Sequence, residues 1–223
     1  MTRRGLVIAI DGVVGAGKTA TARRVAAELG YRHLDTGAMY RAVTLAARRA
    51  GVGPEDAALE GLLAGLRIEL RPGGAVLLGA EDVSDAIRDP EISRRVGAYA
   101  DRPSVRRALI DQQRSIGADG GVVGEGRDVG SVVFPDADLK VLLTADLSER
   151  VRRRHAELLG KGVDTAPDEV EADIRRRDAE DARRDYGAPP PADLRRLDTT
   201  DLTLEEQVGR VVAWARGIEA GSY

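Results

Sequence analysis

The chain has 223 residues, with 34 basic against 37 acidic side chains and a formal charge of −3, a length that suits one domain or one core with insertions. The absence of cysteine and the presence of only two histidines, His33 and His155, exclude a disulfide framework, a thiolate-bound zinc, a thiol nucleophile and multi-histidine metal chemistry. The charge balance disfavours a non-specific nucleic-acid clamp, no apolar run approaches the roughly 18 residues of a membrane span, and the apolar run in MTRRGLVIAIDG is too short for a signal peptide, so a soluble cytoplasmic protein is expected.

Gly5–Ile10 is a short, continuous apolar run closed by Asp11-Gly12, the pattern of a buried strand. A glycine-rich turn follows. From Lys18 to Leu29 the apolar positions Ala22, Val25, Ala26 and Leu29 have helical spacing, with Gly30 as C-cap. His33-Leu34 is a short apolar step before Asp35-Thr36-Gly37, and Ala38–Ala50 reads as a helix closed by Gly51. Residues 55–66 form a weaker helix. Arg67–Leu70 and Ala75–Leu78 flank Pro72-Gly73-Gly74 as a hairpin, which interrupts the βα alternation and marks an inserted subdomain.

Residues 83–100 are polar and helical, and a longer helix runs from Ser104 to about Ile116. Gly120–Gly124 and Leu139–Leu143 are further core strands. Ser148–Leu159 and Pro167–Arg184 are arginine-dense helices without a wide apolar stripe, so the pair is expected to project from the core. Ala188-Pro189-Pro190-Pro191 is a linker-like break, and Leu194–Asp198 is a last short strand. Thr203-Leu-Glu-Glu206 is a capping box opening a helix whose apolar face is Leu204, Val208, Val211, Val212 and Ala215. Trp214 on that helix is expected in packing. Short apolar strands alternating with helices imply α/β architecture, a parallel sheet covered on both faces.

Gly12-Val13-Val14-Gly15-Ala16-Gly17-Lys18-Thr19, running into Ala20, matches GxxxxGK[ST] between a strand and a helix. The glycines let successive N–H groups turn into one concavity that cradles phosphate oxygens, and the helix N-terminus adds positive potential. Lys18 supplies a compact charge for the β/γ-phosphates, and Thr19 offers a hydroxyl to Mg²⁺. Lysine occurs at only three positions, 18, 140 and 161, so its retention at 18 fits a site too narrow for a guanidinium. These residues identify a nucleotide binder without naming its reaction.

Three other segments each carry two readings. Asp35-Thr36-Gly37-Ala38-Met39-Tyr40-Arg41 is either a capped helix with an exposed arginine or a holder for a second phosphorylated group. Gly124-Glu125-Gly126-Arg127-Asp128-Val129-Gly130 is either a glycine loop with a salt bridge or, at the carboxyl end of a strand, a ligand-facing turn. Arg177, Asp181 and Arg184 share one helical face by their i, i+4, i+7 spacing, suited either to solvation or to a phosphate and a ribose hydroxyl.

The loop, DTGAMYR, GRDVGSVVFPDA, the RD…D..R helix and the closing Asp198-Thr199-Thr200, in that order, resemble the bacterial cytidylate kinase family from about residue 5 to 216. The resemblance implies a nucleoside monophosphate kinase: a five-stranded parallel sheet, a monophosphate-binding insertion with a small antiparallel sheet, and a helical lid. Its divisions would be a core of about 1–35, 101–150 and 188–223, an insertion of about 36–100 and a lid of about 151–187. The implied reaction is ATP plus CMP or dCMP to ADP plus CDP or dCDP, with Mg²⁺, by a monomer with no nucleic-acid or membrane partner.

The resemblance also implies site roles. Lys18, Arg41 and Arg127 would grip the CMP phosphate or the transferring group, and Thr36 and Tyr40 would line the monophosphate pocket. Arg106 and Asp128 would face the cytosine edge. Arg177 and Arg184 would touch phosphates, Asp181 the ribose, and Arg153 and Arg154 would close over ATP. Three positions depart from the family pattern: Gly97 where a serine helps read the base, Glu125 where an aspartate serves Mg²⁺ through water, and an altered turn from Arg183 to Gly187.

Other kinases of this fold, for AMP, UMP or shikimate, are the nearest alternatives, and the large insertion argues for the cytidylate group. A regulatory GTP-binding module would need an Asn-Lys-x-Asp reader, and none of the three lysines stands in one. His33 and His155 are expected to be structural or surface residues.

Overall fold

The computed structural model describes residues 5–221 apart from 56, 185, 189 and 190. Residues 1–4 of the N-terminal stretch, Pro189 and Pro190 of the linker-like break and Asp185 of the altered turn lie outside the described residues.

Five parallel strands carry the core. β1 (Val7–Gly12) lies at the centre between β6 (Val122–Gly126) and β7 (Leu139–Thr144), with β2 (Arg32–Asp35) outside β6 and β8 (Arg195–Asp198) outside β7. Strand alternation divides β1 between two cores. Val7 and Ala9 pack with α2 (Thr36–Arg49), α3 (Ala58–Gly65), α4 (Pro90–Ala100) and α5 (Pro103–Gly117). Ile8 and Ile10 pack on the other face with α1 (Lys18–Leu29) and α8 (Leu204–Glu219). Both faces of β1 are thus buried, which is why its sequence is continuously apolar rather than alternating.

The three-stranded antiparallel sheet contains β3 (Ile68–Leu70), β4 (Val76–Leu78) and β5 (Glu81–Asp82). The hairpin is as the sequence predicts, and β5 extends it by a third strand too short and too charged to be read from periodicity. The helix expected over 83–100 is instead a single turn at Ala86–Arg88 followed by α4. Pro90 explains the break: it lacks an N–H and sits at the first helical turn, while Asp89 accepts from Glu91 N at 2.6 Å. α2 starts at Thr36, two residues earlier than its apolar pattern suggests, because Asp35 caps it through Ala38 N at 2.7 Å.

α6 (Leu147–Gly160) and α7 (Pro167–Arg183) bury a separate small cluster of Val170 and Ile174 around Val14 of the glycine loop. This narrow contact accounts for their lack of a wide apolar stripe. The capping box at Thr203 and Glu206 is present as predicted.

After β6 the chain makes a π-helical turn at Val129–Val133. The buried Asp11 side chain ties that turn to the central strand, accepting from Val129 N and Gly130 N at 2.9 Å each. Burial outweighs these two hydrogen bonds and pushes the Asp11 pKa from 3.8 up to about 6. A carboxyl with a raised folded pKa binds its proton more tightly in the folded than in the unfolded chain. Its share of stability is therefore full below pH 3.8 and falls as pH rises toward 6. Urea unfolding from pH 4 to 6.5 is expected to show a decline in the wild type, of up to about 3 kcal/mol, that Asp11→Asn lacks.

Candidate functional site

The glycine loop leaves β1 at Gly12 and enters α1 at Lys18. At Gly12, with φ +154°, a Cβ would sit 2.2 Å from the Leu143 carbonyl oxygen of β7. Gly15 and Gly17 adopt φ of +78° and +90°, conformations that L side chains rarely adopt. Arg150 of α6 braces the loop from outside, donating to the Val14 carbonyl at 3.2 Å and to Asp178 of α7 at 2.7 Å. Thr199, after β8, donates to the Ala16 carbonyl at 3.2 Å.

Lys18 Nζ donates to the Val13 carbonyl across the loop at 2.7 Å. Burial, then the positive potential of Arg127, pushes its pKa well below the usual lysine value, against the opposing pull of Glu125. Arg177 is also pushed down, by burial and then by Arg127. Three cations therefore crowd one place, an arrangement suited to a polyanion.

β6 ends beside β1, so the turn after it reaches the same edge. Glu125, 3 % exposed, accepts from Thr19 Oγ1 at 2.9 Å. Ala20 follows in the first turn of α1. Arg127 donates to the Gly12 carbonyl at 2.8 Å and to Asp181 of α7 at 2.6 Å. Asp181 also accepts from Arg184 at 2.8 Å, and Arg184 pairs with Asp101. Asp181 thus bridges two arginines, consistent with the shared helical face read from its spacing.

A cavity of about 470 Å³ opens beside this cluster, with Gly97, Ala98, Asp101, Arg106 and Arg184 in its wall. A smaller one of about 60 Å³ shares Gly97 and Arg184 and reaches Arg127, Arg177 and Asp181. Arg106 pairs with the buried Asp128 at 2.5 Å. Tyr40 is half-buried, and burial pushes its phenol up to about 12. Arg41 reaches Asp35 at 3.4 Å and keeps its buried Nε without a hydrogen-bond partner.

The other predicted residues are placed as follows. Thr36 spends its hydroxyl on the Glu125 carbonyl at 2.7 Å. Arg153 pairs with Glu149 at 2.7 Å and donates to the Thr199 carbonyl at 2.5 Å, docking α6 onto the segment before α8. Arg154 pairs with Glu157 at 2.7 Å on its own helix.

Sequence reasoning did not find Arg150 or Thr199 as supports of the glycine loop, or Asp11 as the tie to the turn at 129–133, because each acts through a backbone group distant in the chain. Nor did it assign a site role to Tyr186, whose hydroxyl donates to Asp181 at 3.4 Å and whose ring lies 5.7 Å from the Arg106 guanidinium. His155 is structural as expected, 3.0 Å from the Thr165 carbonyl. His33 is likewise structural, standing 3.2 Å from Glu125 Oε1, though its partner was not read from the sequence. Strand register, invisible in one segment alone, brings the two together.

Among the described residues no cluster of three or more histidine, aspartate or glutamate side chains could hold a metal ion, and no helix is long and apolar enough to cross a membrane.

Residues 8–216 match the family model described as cytidylate kinase. A protein named cytidylate kinase from Geobacter sulfurreducens is 47% identical over 96% of this chain and 94% of its own. One of the same name from Burkholderia pseudomallei (strain K96243) is 47% identical over 94% of this chain and 92% of its own. A crystal structure of an uncharacterized protein from Eubacterium ventriosum superposes with a TM-score of 0.52 at 10% identity, covering 96% of this chain and 99% of that one, a likeness of fold.

Proposed function

We propose that this chain, which belongs to the cytidylate kinase family, transfers the γ-phosphoryl group of ATP to CMP or dCMP, giving ADP and CDP or dCDP in pyrimidine nucleotide metabolism. The observation that carries the reading is the meeting of the glycine loop, with Lys18, and the Arg127–Asp181–Arg184 cluster beside one cavity.

Phosphoryl transfer asks a protein for position and charge compensation rather than for a nucleophilic side chain. The N–H groups from Val13 to Ala20 cradle the ATP phosphates, and Lys18 bonds their terminal oxygens in place of the Val13 carbonyl. Arg127 and Arg177 flank the transferring group from the other side. Burial and mutual repulsion that depress the Lys18 and Arg177 pKa values are offset by an incoming polyanion.

CMP takes the region of the larger cavity, walled by Gly97, Arg106 and Arg184, and the space beyond it toward Thr36, Tyr40, Arg41, Asp128 and Asp181, which that wall does not include. Arg41 and Arg184 hold its phosphate, Thr36 and Tyr40 shape the pocket, Asp181 accepts from the ribose, and Arg106 with Asp128 reads the cytosine edge. Gly97 leaves the wall one side chain short of the family's serine. We divide the chain into a core (about 1–35, 101–150 and 188–223), an insertion (36–100) and a lid (151–187). Arg153 and Arg154 ride on that lid and close over ATP, excluding water from the transfer.

The donor set fits Mg²⁺ carried in with ATP: a hydroxyl at Thr19 and, through water, a carboxylate at Glu125, both hard oxygen ligands. Held by Thr19 and, through water, Glu125, such an ion would offset the negative charge of the ATP phosphates. The same reading places the enzyme in the cytoplasm as a monomer acting on small molecules, without nucleic acid or membrane.

ADP release measured with Mg²⁺–ATP and, in parallel, CMP, dCMP, UMP, AMP and shikimate is expected to be fast with CMP and dCMP alone. Rates no higher than background with both would overturn the substrate. Comparable UMP turnover would trace to Gly97 and should disappear in Gly97→Ser. Lys18→Ala is expected to lower kcat by on the order of 10²–10³-fold with an unchanged circular dichroism spectrum. Asp181→Ala is expected to raise the KM for CMP about tenfold or more, the scale of one charged hydrogen bond, and leave ATP affinity unchanged by calorimetry.

A further inference from the structure

The Glu125 carboxylate is held at both oxygens. Oε2 accepts from Thr19 Oγ1 at 2.9 Å, and Oε1 lies 3.2 Å from His33 Nε2. An ionised carboxylate only accepts, so Nε2 is the nitrogen that carries the hydrogen. The glutamate backbone is fixed as well, since its carbonyl accepts from Thr36 at 2.7 Å.

Register explains why the histidine arrives here. β2 pairs with β6 so that His33 faces Val123 and Asp35 faces Glu125. Paired residues of parallel strands share a face, and alternation puts Glu125 on the face of Val123. His33 and Glu125 are therefore diagonal neighbours on the face that packs against α1, whose first turn carries Thr19. Long side chains bridge such a diagonal. Glu125 is thus an acid tethered twice, and the histidine is the second tether.

We propose that His33 is a positioning residue for the divalent-cation site, holding the Glu125 carboxylate so that Oε2 stays against Thr19. A longer side chain has one more rotatable bond and more conformers to lose when it must act from one place. The Nε2–H tether removes that freedom in advance, as an outer hydrogen bond does for a metal-binding carboxylate. The proposal rests on the reading of Thr19 and Glu125 as the groups that serve the cation.

The test is calorimetric binding of ADP with saturating Mn²⁺ and of ADP in EDTA, to the wild type and to His33→Leu, His33→Gln and Glu125→Gln, with CMP binding and thermal melts as controls. His33→Leu is expected to weaken Mn²⁺–ADP binding about tenfold while metal-free ADP and CMP affinities stay within about twofold. His33→Gln keeps an N–H donor and is expected to remain near the wild type. Glu125→Gln is expected to lose the metal-dependent increment. If Glu125→Gln weakens Mn²⁺–ADP and His33→Leu does not, the positioning role is wrong and the cation site stands. Equal loss with and without metal in His33→Leu, or a glutamine variant as weak as the leucine one, also overturns the role. An unchanged Glu125→Gln overturns the cation site and the proposal with it.

Discussion

A Cβ at residue 12 would stand 2.2 Å from the Leu143 carbonyl oxygen, and much of the site follows from that contact. The central strand must leave the sheet beside β7 without a side chain, so that the backbone can curl back over the start of α1. Only this curl lets consecutive N–H groups face one point. Distant parts of the chain hold it: Arg150 at the Val14 carbonyl, Thr199 at the Ala16 carbonyl and Arg127 at the Gly12 carbonyl. Three carbonyl oxygens of the loop are thus satisfied by side chains, which fixes it without drawing on its N–H groups.

Those same supports link the loop to the rest of the protein. Arg127 joins Gly12 to Asp181, and Asp181 joins Arg184, so a chain of charge-assisted hydrogen bonds runs from the nucleotide loop to the wall of the large cavity. Charge-assisted bonds of this kind are shorter and stronger than neutral ones. Arg150 joins the loop to α7 through Asp178, and Arg153 joins α6 to the segment before α8. Movement of α6 and α7 would have to exchange these partners.

Much of this architecture is legible in one dimension. The apolar runs at 5–10 and 139–143 show buried strands, the glycine-lysine spacing shows the phosphate cradle, and Thr203 with Glu206 shows where α8 begins. These signals are local: they depend on residues within a few positions of one another and on periodicities intrinsic to strand or helix. Even the errors are local in origin. The apolar pattern of α2 starts at Ala38, yet the helix starts two residues earlier because a cap depends on a hydrogen bond and not on hydrophobicity.

By itself, then, the sequence determined the strand, glycine loop and helix from β1 to α1, and its order of motifs determined the family. Strand order and register decided the rest. β6 is inserted between β2 and β1, so Glu125 and Arg127 meet a loop more than a hundred residues earlier in the chain, and His33 meets Glu125 on a shared face. No spacing encodes these meetings, because hydrogen-bonded strand neighbours are chosen by how whole layers bury their faces. A lone histidine or a buried aspartate has the same appearance in a sequence wherever it falls; only its neighbours across the sheet distinguish His33, or Asp11 beneath the turn at 129–133, from ordinary polar residues.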